Sequence, residues 1–495
     1  MVFNMLDKYS KYSVFLIIIS GFLTRLINIK QPLLEVAGWR QCYTASIARN
    51  FYYNGMNIFY PQVLYGGTTE GYIGGTEFHL YPFVVAILYK LFGVHEFLGR
   101  LVSIIAFCGG AFFLYKLTRK YAGTTSGLIT LLFYTFNPYI FFYSRAFQPE
   151  SAMLFFSIAM LYFFSEWIDK EGWWRFALMT LCATLAFLTK LPTICLGLPL
   201  LYLCLRKYKL NSITQWKLWL FAALSLLLTF LWYEHSNYIK TIDGGLSNNT
   251  LSFKYYVFEY SLYYALKLSF YKKVFFDEVF EKDLIYVGGV FLVLGIIFTI
   301  KKKEFRYIHY WLLAIIVYFF LAAKEVEWHT YYTIPIIAPA SVLIGYGISN
   351  SLKLITAHKV TGTKRFVLQT LFVVIVVLLP FISYHKITGR YKAKRLEKDY
   401  PVQIAGRIVD ETALENDLII GCIWGGPELL YYCNRRGWTM NANSCSIKGI
   451  ETLKQEGADY FVTTNQDVID ISVLDYLKNK YETIRSTNEY IIVKL

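Results

Sequence analysis

Apolar positions along this chain gather into long blocks, and eleven of them read as membrane-spanning helices: 13–29, 99–117, 124–143, 151–168, 173–189, 192–205, 215–233, 284–300, 308–322, 333–349 and 365–383. Several run for about 17 or more nearly uncharged residues, the length that crosses a bilayer core. The block "LYPFVVAILYKLFG" (80–93) is shorter and contains a lysine, so it predicts an interfacial helix. Between the first two spans lies "EVAGWRQCYTASIARNFYYNGMNIFYP" (35–61), polar and rich in aromatics. It predicts an amphipathic helix on the outer leaflet, anchored by Trp39, Phe51, Tyr52, Tyr53 and Phe59, with Arg40 and Gln41 on its polar face. Beyond residue 383 the pattern changes. "DLIIGCIWGGPELLYYC" reads as strand, turn and helix, "GADYFVTTN" and "YIIVKL" as strands, and "VLDYLKNKYE" as a helix, which together predict a small α/β domain.

Charge orients these elements. The chain carries a net +15 with only 17% charged residues and a mean hydropathy of +0.40. With each charge assigned to its nearer side, the inner segments hold nineteen Lys/Arg against five Asp/Glu, and the outer segments up to 383 hold fifteen against fourteen. Residues 384–495 hold fifteen of each, so the whole surplus lies on the side of the N-terminus. That is the asymmetry of cytoplasmic loops, and it excludes a nucleic-acid reading of the basic balance. Counting 80–93 as a span would invert every later loop and erase it. The first polar stretch, the loops near 144–150, 190, 234–282 and 323–332, and the C-terminal region therefore fall outside. The eight cysteines show no metal-ligand spacing, although a pair among Cys422, Cys433 and Cys445 is open to disulfide formation in an extracytoplasmic domain.

The outer ends of the spans collect acids, cations and tyrosines: Glu35, Arg40, Glu77, Arg145, Glu150, Lys190, His329, Tyr331 and Tyr332. A carboxylate can take a proton from a hydroxyl, and Arg or Lys can hold a phosphate leaving group. Each also has a plainer reading. Arg145 and Lys190 fit snorkelling, Glu35 a solvated loop, Glu77 and Glu150 the positive start of a helix, and His329, Tyr331 and Tyr332 an aromatic belt.

Taken in order, "WRQ", "TASIARNFYYNGMNIFYPQV", "EFHLYPFVVAILYKLFGVHEFLGRL", "FYSRAFQPES", "FLTKLPT" and "HTYYTIPIIAP" resemble the GT-C membrane glycosyltransferases, over roughly residues 10–350. The nearest resemblance is to the protein O-mannosyltransferase and lipid A aminoarabinose transferase group, in a bacterial WRQ-type subgroup. It implies inverting transfer of a sugar from a polyprenyl-phosphate donor to an acceptor hydroxyl on a cell-envelope glycan, lipid or protein. It places Glu150 at the acidic position of the second outer loop. Lys190 falls between the mid-chain spans, and Tyr331 and Tyr332 near the lipid phosphate; from their places at the outer ends, Arg40, Arg145 and Lys190 are the expected phosphate contacts. The general base of the family, an aspartate two residues after the glutamine, is replaced here by Tyr43, and the expected histidine by Gly38. Glu77 is then the favoured base. Glu35 is second, because Arg40 five residues on would weaken it, and Glu150 third.

The expected fold is mainly α, a multi-pass helical bundle of GT-C type with about 11–13 spans and a small α/β C-terminal extracytoplasmic domain. The expected domains are 1–383, with 30–98 as the first outer loop, and 384–495. No metal site or cofactor is assigned, and Glu35 stays open as an anchor for a divalent cation. The expected partners are the polyprenyl-phosphate sugar, a cell-envelope acceptor and the bilayer, with no nucleic acid. The expected place is the bacterial inner membrane, N-terminus cytoplasmic and C-terminal domain periplasmic. Competing readings are a lipid-linked sugar transporter or flippase, for which neither inverted repeats nor mid-bilayer charges are found, and a catalytically altered relative that binds lipid-linked sugar.

Overall fold

A computed structural model of the chain describes residues 2–242, 245–247, 261–356 and 394–495, with single positions between 363 and 385. Ten of the eleven predicted spans coincide with helices; the eleventh, 365–383, lies outside the described residues. Among the described residues, five helices are long and apolar enough to cross a membrane, and six if the bent pair Leu268–Asp283 and Val287–Thr299 counts as one span. The remaining spans are shorter or broken. Helices α1 (Val2–Arg25) and α2 (Gly38–Tyr53) precede α3 (Leu80–Phe92), and the long α4 (Glu96–Phe136) turns at Gly123, whose positive φ fits only glycine comfortably. Then come α5 (Pro138–Tyr143), α6 (Glu150–Asp169), α7 (Trp173–Thr189), α8 (Gly197–Tyr208) and α9 (Trp216–Ile239). The chain is a multi-pass membrane protein. On α9, Leu224, Leu227, Leu228, Phe230 and Leu231 are exposed, as a lipid-facing helix requires.

The molecule divides into two compact units. The first holds residues 1–29, 103–232 and 251–389, and the second holds 30–102, 233–250 and 390–495. The sequence groups 30–98 with the bundle, whereas here that segment is part of the same unit as the C-terminal α/β region.

Within the first unit, helix starts follow local chemistry. Asn137 caps α5 by accepting from the backbone N–H groups of Tyr139 and Ile140, with Pro138 at the first helical position. Glu150 opens α6, where the helix dipole favours a carboxylate. Two spans begin as 3₁₀ turns that tighten around a proline, Leu191–Leu196 and Thr330–Ile336.

The second unit carries a five-stranded sheet in the order β4-β3-β5-β7-β6. Its strands are β3 (Ile419–Ile423), β4 (Gly437–Asn441), β5 (Tyr460–Thr463), β6 (Glu482–Ser486) and β7 (Ile491–Lys494); two short strands, β1 (Ile73–Gly74) and β2 (Leu246–Ser247), pair separately. Strands β4, β3 and β5 are parallel; β7 and β6 close the sheet antiparallel. The apolar run of β3 is buried throughout, as a central parallel strand demands. Ile420, Phe461, Ile491 and Val493 meet Ile450, Val473 and Leu477 from the covering helices. The three strands and the two helices read from sequence in this region are present, the helices as Glu428–Cys433 and Ile471–Lys480, and β4 and β6 are additional. All eight cysteines are free thiols, and no disulfide joins Cys422, Cys433 or Cys445.

The helix expected to float amphipathically on the membrane does something else. In α2, Arg40 through Ala48, Asn50 and Phe51 are all buried. It packs against α3 and against helix Glu428–Cys433, where Arg49 donates to the Tyr431 carbonyl at 2.6 Å and covers the Tyr431 ring at 4.1 Å. Only Trp39, Tyr53 and Phe59 of the five expected anchors are exposed. The polar residues of α2 are interior groups with partners rather than a wetted face.

Candidate functional site

The sequence-predicted residues fall into two clusters, one in each unit. In the first unit, Lys190 stands at the break between α7 and the 3₁₀ turn that follows, in extended backbone held by the Thr193 hydroxyl, which donates to the Lys190 carbonyl at 2.7 Å. Its ammonium lies 3.0 Å from Glu150, whose side chain is 1% exposed against 11% for Lys190. It also sits 4.2 Å over the Tyr332 ring and 5.0 Å over the Tyr331 ring, a cation–π cradle. His329 stacks on Tyr331 at 5.5 Å and pairs with Glu325 at 3.4 Å. The Tyr143 and Thr330 hydroxyls meet at 2.8 Å, and Tyr318 donates to the Tyr332 carbonyl, so the tyrosine platform is fixed from behind. A narrow slot of about 30 Å³ reaches Lys190, walled mainly by Met153, Leu154, Ile158, Leu196 and Trp311. A buried cation at the end of an apolar slot suits a ligand with a lipid tail and an anionic head.

Arg145 is arranged differently. It is buried, and its terminal nitrogens donate to the carbonyls of Ile27 at 2.5 Å and Asn28 at 2.9 Å. These contacts clamp the turn after α1. Arg25 is likewise buried, bonded to Ser144 and to the Gly21 and Thr135 carbonyls between the Phe107 and Phe141 rings.

In the second unit, Glu77 leaves β1 in a segment pinned to the end of α9: Gly75 N–H donates to the Ser236 carbonyl at 3.0 Å and Thr76 N–H to the Ser236 hydroxyl at 3.2 Å. Glu77 forms an ion pair with Arg40 and keeps 24% side-chain exposure. The sequence reading assigns Arg40 to Glu35, five residues away; the fold gives it to Glu77 instead. Glu35 pairs at 2.6 Å with Arg100, which also donates to the Pro32 carbonyl, and that pair is almost fully buried.

Tyr43, standing where an aspartate is expected, belongs to a core of Ile47, Phe51, Val63, Ile73 and Ala86 and stacks on Tyr65 at 6.4 Å. Burial pushes its phenol well above the usual range, and that of Tyr65 up to about 12. A hydroxyl so reluctant to ionise is no base near neutral pH. His79 is the residue sequence reasoning missed. It caps the start of α3, is fully buried, and neither ring nitrogen has a hydrogen-bond partner among the described residues. Burial pulls it down to about 4 despite nearby Glu77, so it is neutral at pH 7. Its place two residues after Glu77 in "TEFHLYP" is the one signal that could have flagged it. Among the described residues, no three His, Cys, Asp or Glu side chains group to hold a metal ion.

Comparison with known proteins places this geometry. The sequence profile of the dolichyl-phosphate-mannose-protein mannosyltransferase family matches residues 79–233. A relative from Aquifex aeolicus, described as an uncharacterized protein, is 25% identical over 269 residues, which is 49% of this chain and 59% of that protein. Among solved structures, ArnT from Cupriavidus metallidurans bound to undecaprenyl phosphate superposes with a TM-score of 0.65 at 13% identity, over 97% of each chain. The Archaeoglobus fulgidus oligosaccharyltransferase AglB, with an inhibitory peptide and a dolichol-phosphate, gives 0.58 at 10% identity over 92% of this chain and 70% of that one. The mycobacterial arabinofuranosyltransferase AftD gives 0.56 at 12% identity, over 97% of this chain and 39% of that one. The chain has the GT-C glycosyltransferase fold, as its ordered motifs anticipate.

Proposed function

We propose that this protein is a membrane glycosyltransferase that moves a sugar from a polyprenyl-phosphate donor to a hydroxyl of a cell-envelope acceptor, with inversion. The observation that carries the reading is Lys190, held between Glu150 and the rings of Tyr331 and Tyr332 at the end of an apolar slot. The fold agrees with it, since a structure superposing over 97% of this chain holds undecaprenyl phosphate. Lys190 would meet the donor phosphate. The tyrosine rings keep the ammonium in place when the phosphate draws it from Glu150.

Inversion follows from one displacement. The acceptor hydroxyl gives its proton to a carboxylate, its oxygen attacks the anomeric carbon, and the bond from that carbon to the phosphate oxygen breaks. The bonding pair leaves with polyprenyl phosphate, whose charge Lys190 offsets. We assign the base to Glu77. It is partly exposed, whereas Glu35 is committed to Arg100 inside the protein; the Arg40 partner that the sequence gives to Glu35 falls to Glu77, where it orients the carboxylate at some cost in basicity. General-base catalysis is typically worth about 10²–10⁴ in rate. In this reading the N-terminus is cytoplasmic and the C-terminal α/β region lies outside, with the inner membrane of a bacterium as the setting.

Buried Tyr43 in place of an acid favours one second reading, a relative that binds lipid-linked sugar without turning it over. Purified protein in lipid nanodiscs, given polyprenyl-phosphate sugars, separates the two. Release of polyprenyl phosphate coupled to glycan extension supports the transferase. Tight donor binding with no release supports the altered relative, and no donor binding overturns both.

A further inference from the structure

The second unit contains a cleft of about 880 Å³, bounded by the end of α2, the loop from Asn54 to Tyr72, and the residues flanking β3 and β4. Lys190, Glu150, Arg40, Glu77 and Glu35 are all outside its lining, and its size is in the upper part of the range for small-molecule sites. We propose that it binds a neutral oligosaccharide.

The chemistry of the walls selects that ligand. Side-chain amides are the largest single group among the lining residues, and the innermost are fixed in place. Asn50 donates to the Gln62 carbonyl at 2.8 Å, Asn54 donates to the Gln62 side-chain oxygen at 2.7 Å, and Gln62 donates to the Glu70 carbonyl at 3.1 Å. Each asparagine thus uses one N–H to fix its amide on the wall and keeps its second N–H and its amide oxygen. Carboxylates of Glu415 and Asp417 line the facing side. A sugar hydroxyl needs an acceptor for its proton and a donor for its oxygen, and such walls supply acceptors in excess. Tyr60 and Tyr72 pack edge to face at 5.8 Å on the same lining, an apolar surface with polar tips against which a pyranose face can lie.

Charge excludes the anionic alternative. The cleft has two arginines, and both are engaged. Arg435 is buried, bonded to Asp410 at 2.7 Å and to the Leu414 and Ala413 carbonyls at 2.8 and 2.7 Å. Arg436 donates to the Thr69 carbonyl at 3.0 Å and stands 3.8 Å from Glu70. With Glu70, Glu415 and Asp417 on the wall, a phosphate or uronate would meet net repulsion. The cleft is therefore unlike the Lys190 slot, and the two take chemically different ligands. Assigning the saccharide as the acceptor chain rests on the proposed transferase; the binding itself does not.

The test uses the full-length protein in nanodiscs and saturation-transfer NMR with maltotetraose, cellotetraose and mannotetraose. The expected result is transfer from the protein to at least one of them. Asn416→Trp, which fills the rim, and Asn57→Ala, which removes an exposed rim amide, should weaken that binding at least tenfold with the melting temperature kept. No binding of any tetrasaccharide, undiminished binding in Asn416→Trp, or binding of inorganic phosphate at the cleft overturns the proposal. Undecaprenyl-phosphate binding by the wild-type preparation is read separately. Its absence beside intact saccharide binding sinks the transferase reading alone, and the reverse pattern sinks the cleft alone.

Discussion

Glu150 and Lys190 form a pair whose structural and functional roles can be pulled apart. Glu150→Gln leaves a buried ammonium facing a neutral amide, and Lys190→Met leaves a carboxylate that is 1% exposed with no cation. Removing one member of a buried ion pair typically costs about 3–5 kcal/mol, because the survivor stays desolvated and uncompensated. At roughly 2–4 °C per kcal/mol for units of 150–250 residues, each single variant should melt about 6–20 °C lower, towards the lower figure for a larger unit. The double variant Glu150→Gln/Lys190→Met buries no unpaired charge and should recover most of that loss. Donor use should behave oppositely. The double variant lacks the ammonium, so undecaprenyl-phosphate affinity should stay as poor as in Lys190→Met. Lys190→Arg should rescue neither fully, because a planar guanidinium does not fit a seat shaped for an ammonium between two rings. The assays are fluorescence-detected melts in nanodiscs and titration with undecaprenyl phosphate. Single variants that melt like wild type would refute the buried pair. A double variant that regains donor affinity would refute the phosphate role of Lys190.

Other outcomes follow from the same geometry. Glu77→Gln should lose about 10²–10⁴ in turnover with donor affinity retained, whereas Glu35→Gln should show mainly a lower melting temperature from stranding Arg100; full turnover in Glu77→Gln with turnover abolished in Glu35→Gln reverses the assignment. Arg145→Ala should cost roughly 1.5–3 kcal/mol of stability through its lost carbonyl bonds, seen as a lower melting temperature, with donor affinity unchanged in the folded fraction. His79 should make stability pH-dependent. The unfolded histidine binds a proton below its usual 6.5, the folded one only near 4, so stability falls by roughly 3 kcal/mol as pH drops through that window; a His79→Phe variant should show a flatter melting profile there. Alkaline phosphatase fused after residue 400 should be active in cells, and an active cytoplasmic reporter at that point would overturn the topology.

The spans were legible because lipid imposes one simple rule, long uncharged helices, and ten of the predicted blocks are helices here. The strands β3, β5 and β7 were legible for the same reason, as apolar runs, while at the sheet edges β4 is half-buried, β6 is largely exposed, and neither carries such a run. Pairings between distant acids and bases were not legible. Arg40 lies five residues from Glu35 and thirty-seven from Glu77, and sequence distance favoured the wrong partner. The burial of α2 was hidden too, since polar side chains normally mark a wet face. Here helix Glu428–Cys433 of the α/β region supplies the Tyr431 carbonyl and ring that Arg49 of α2 meets, which makes burial tolerable.

The sharing of one compact unit by the first outer loop and the far end of the chain bears on how the protein is made. Leu33 N–H donates to the Tyr432 hydroxyl, and Gly437 exchanges hydrogen bonds with Leu64, Gly66 and Gly67, with the Trp438 indole seated where a side chain at Gly67 would be. Those partners are absent when the loop first emerges. At about 5–20 residues per second, the ribosome needs on the order of 20–70 s to travel from residue 102 to residue 437. During that interval α2 has a buried-type surface, including Arg49 and Cys42, with nothing to cover it. The nascent first loop is thus a waiting half-interface, and a factor that shields it would act before residue 437 is translated.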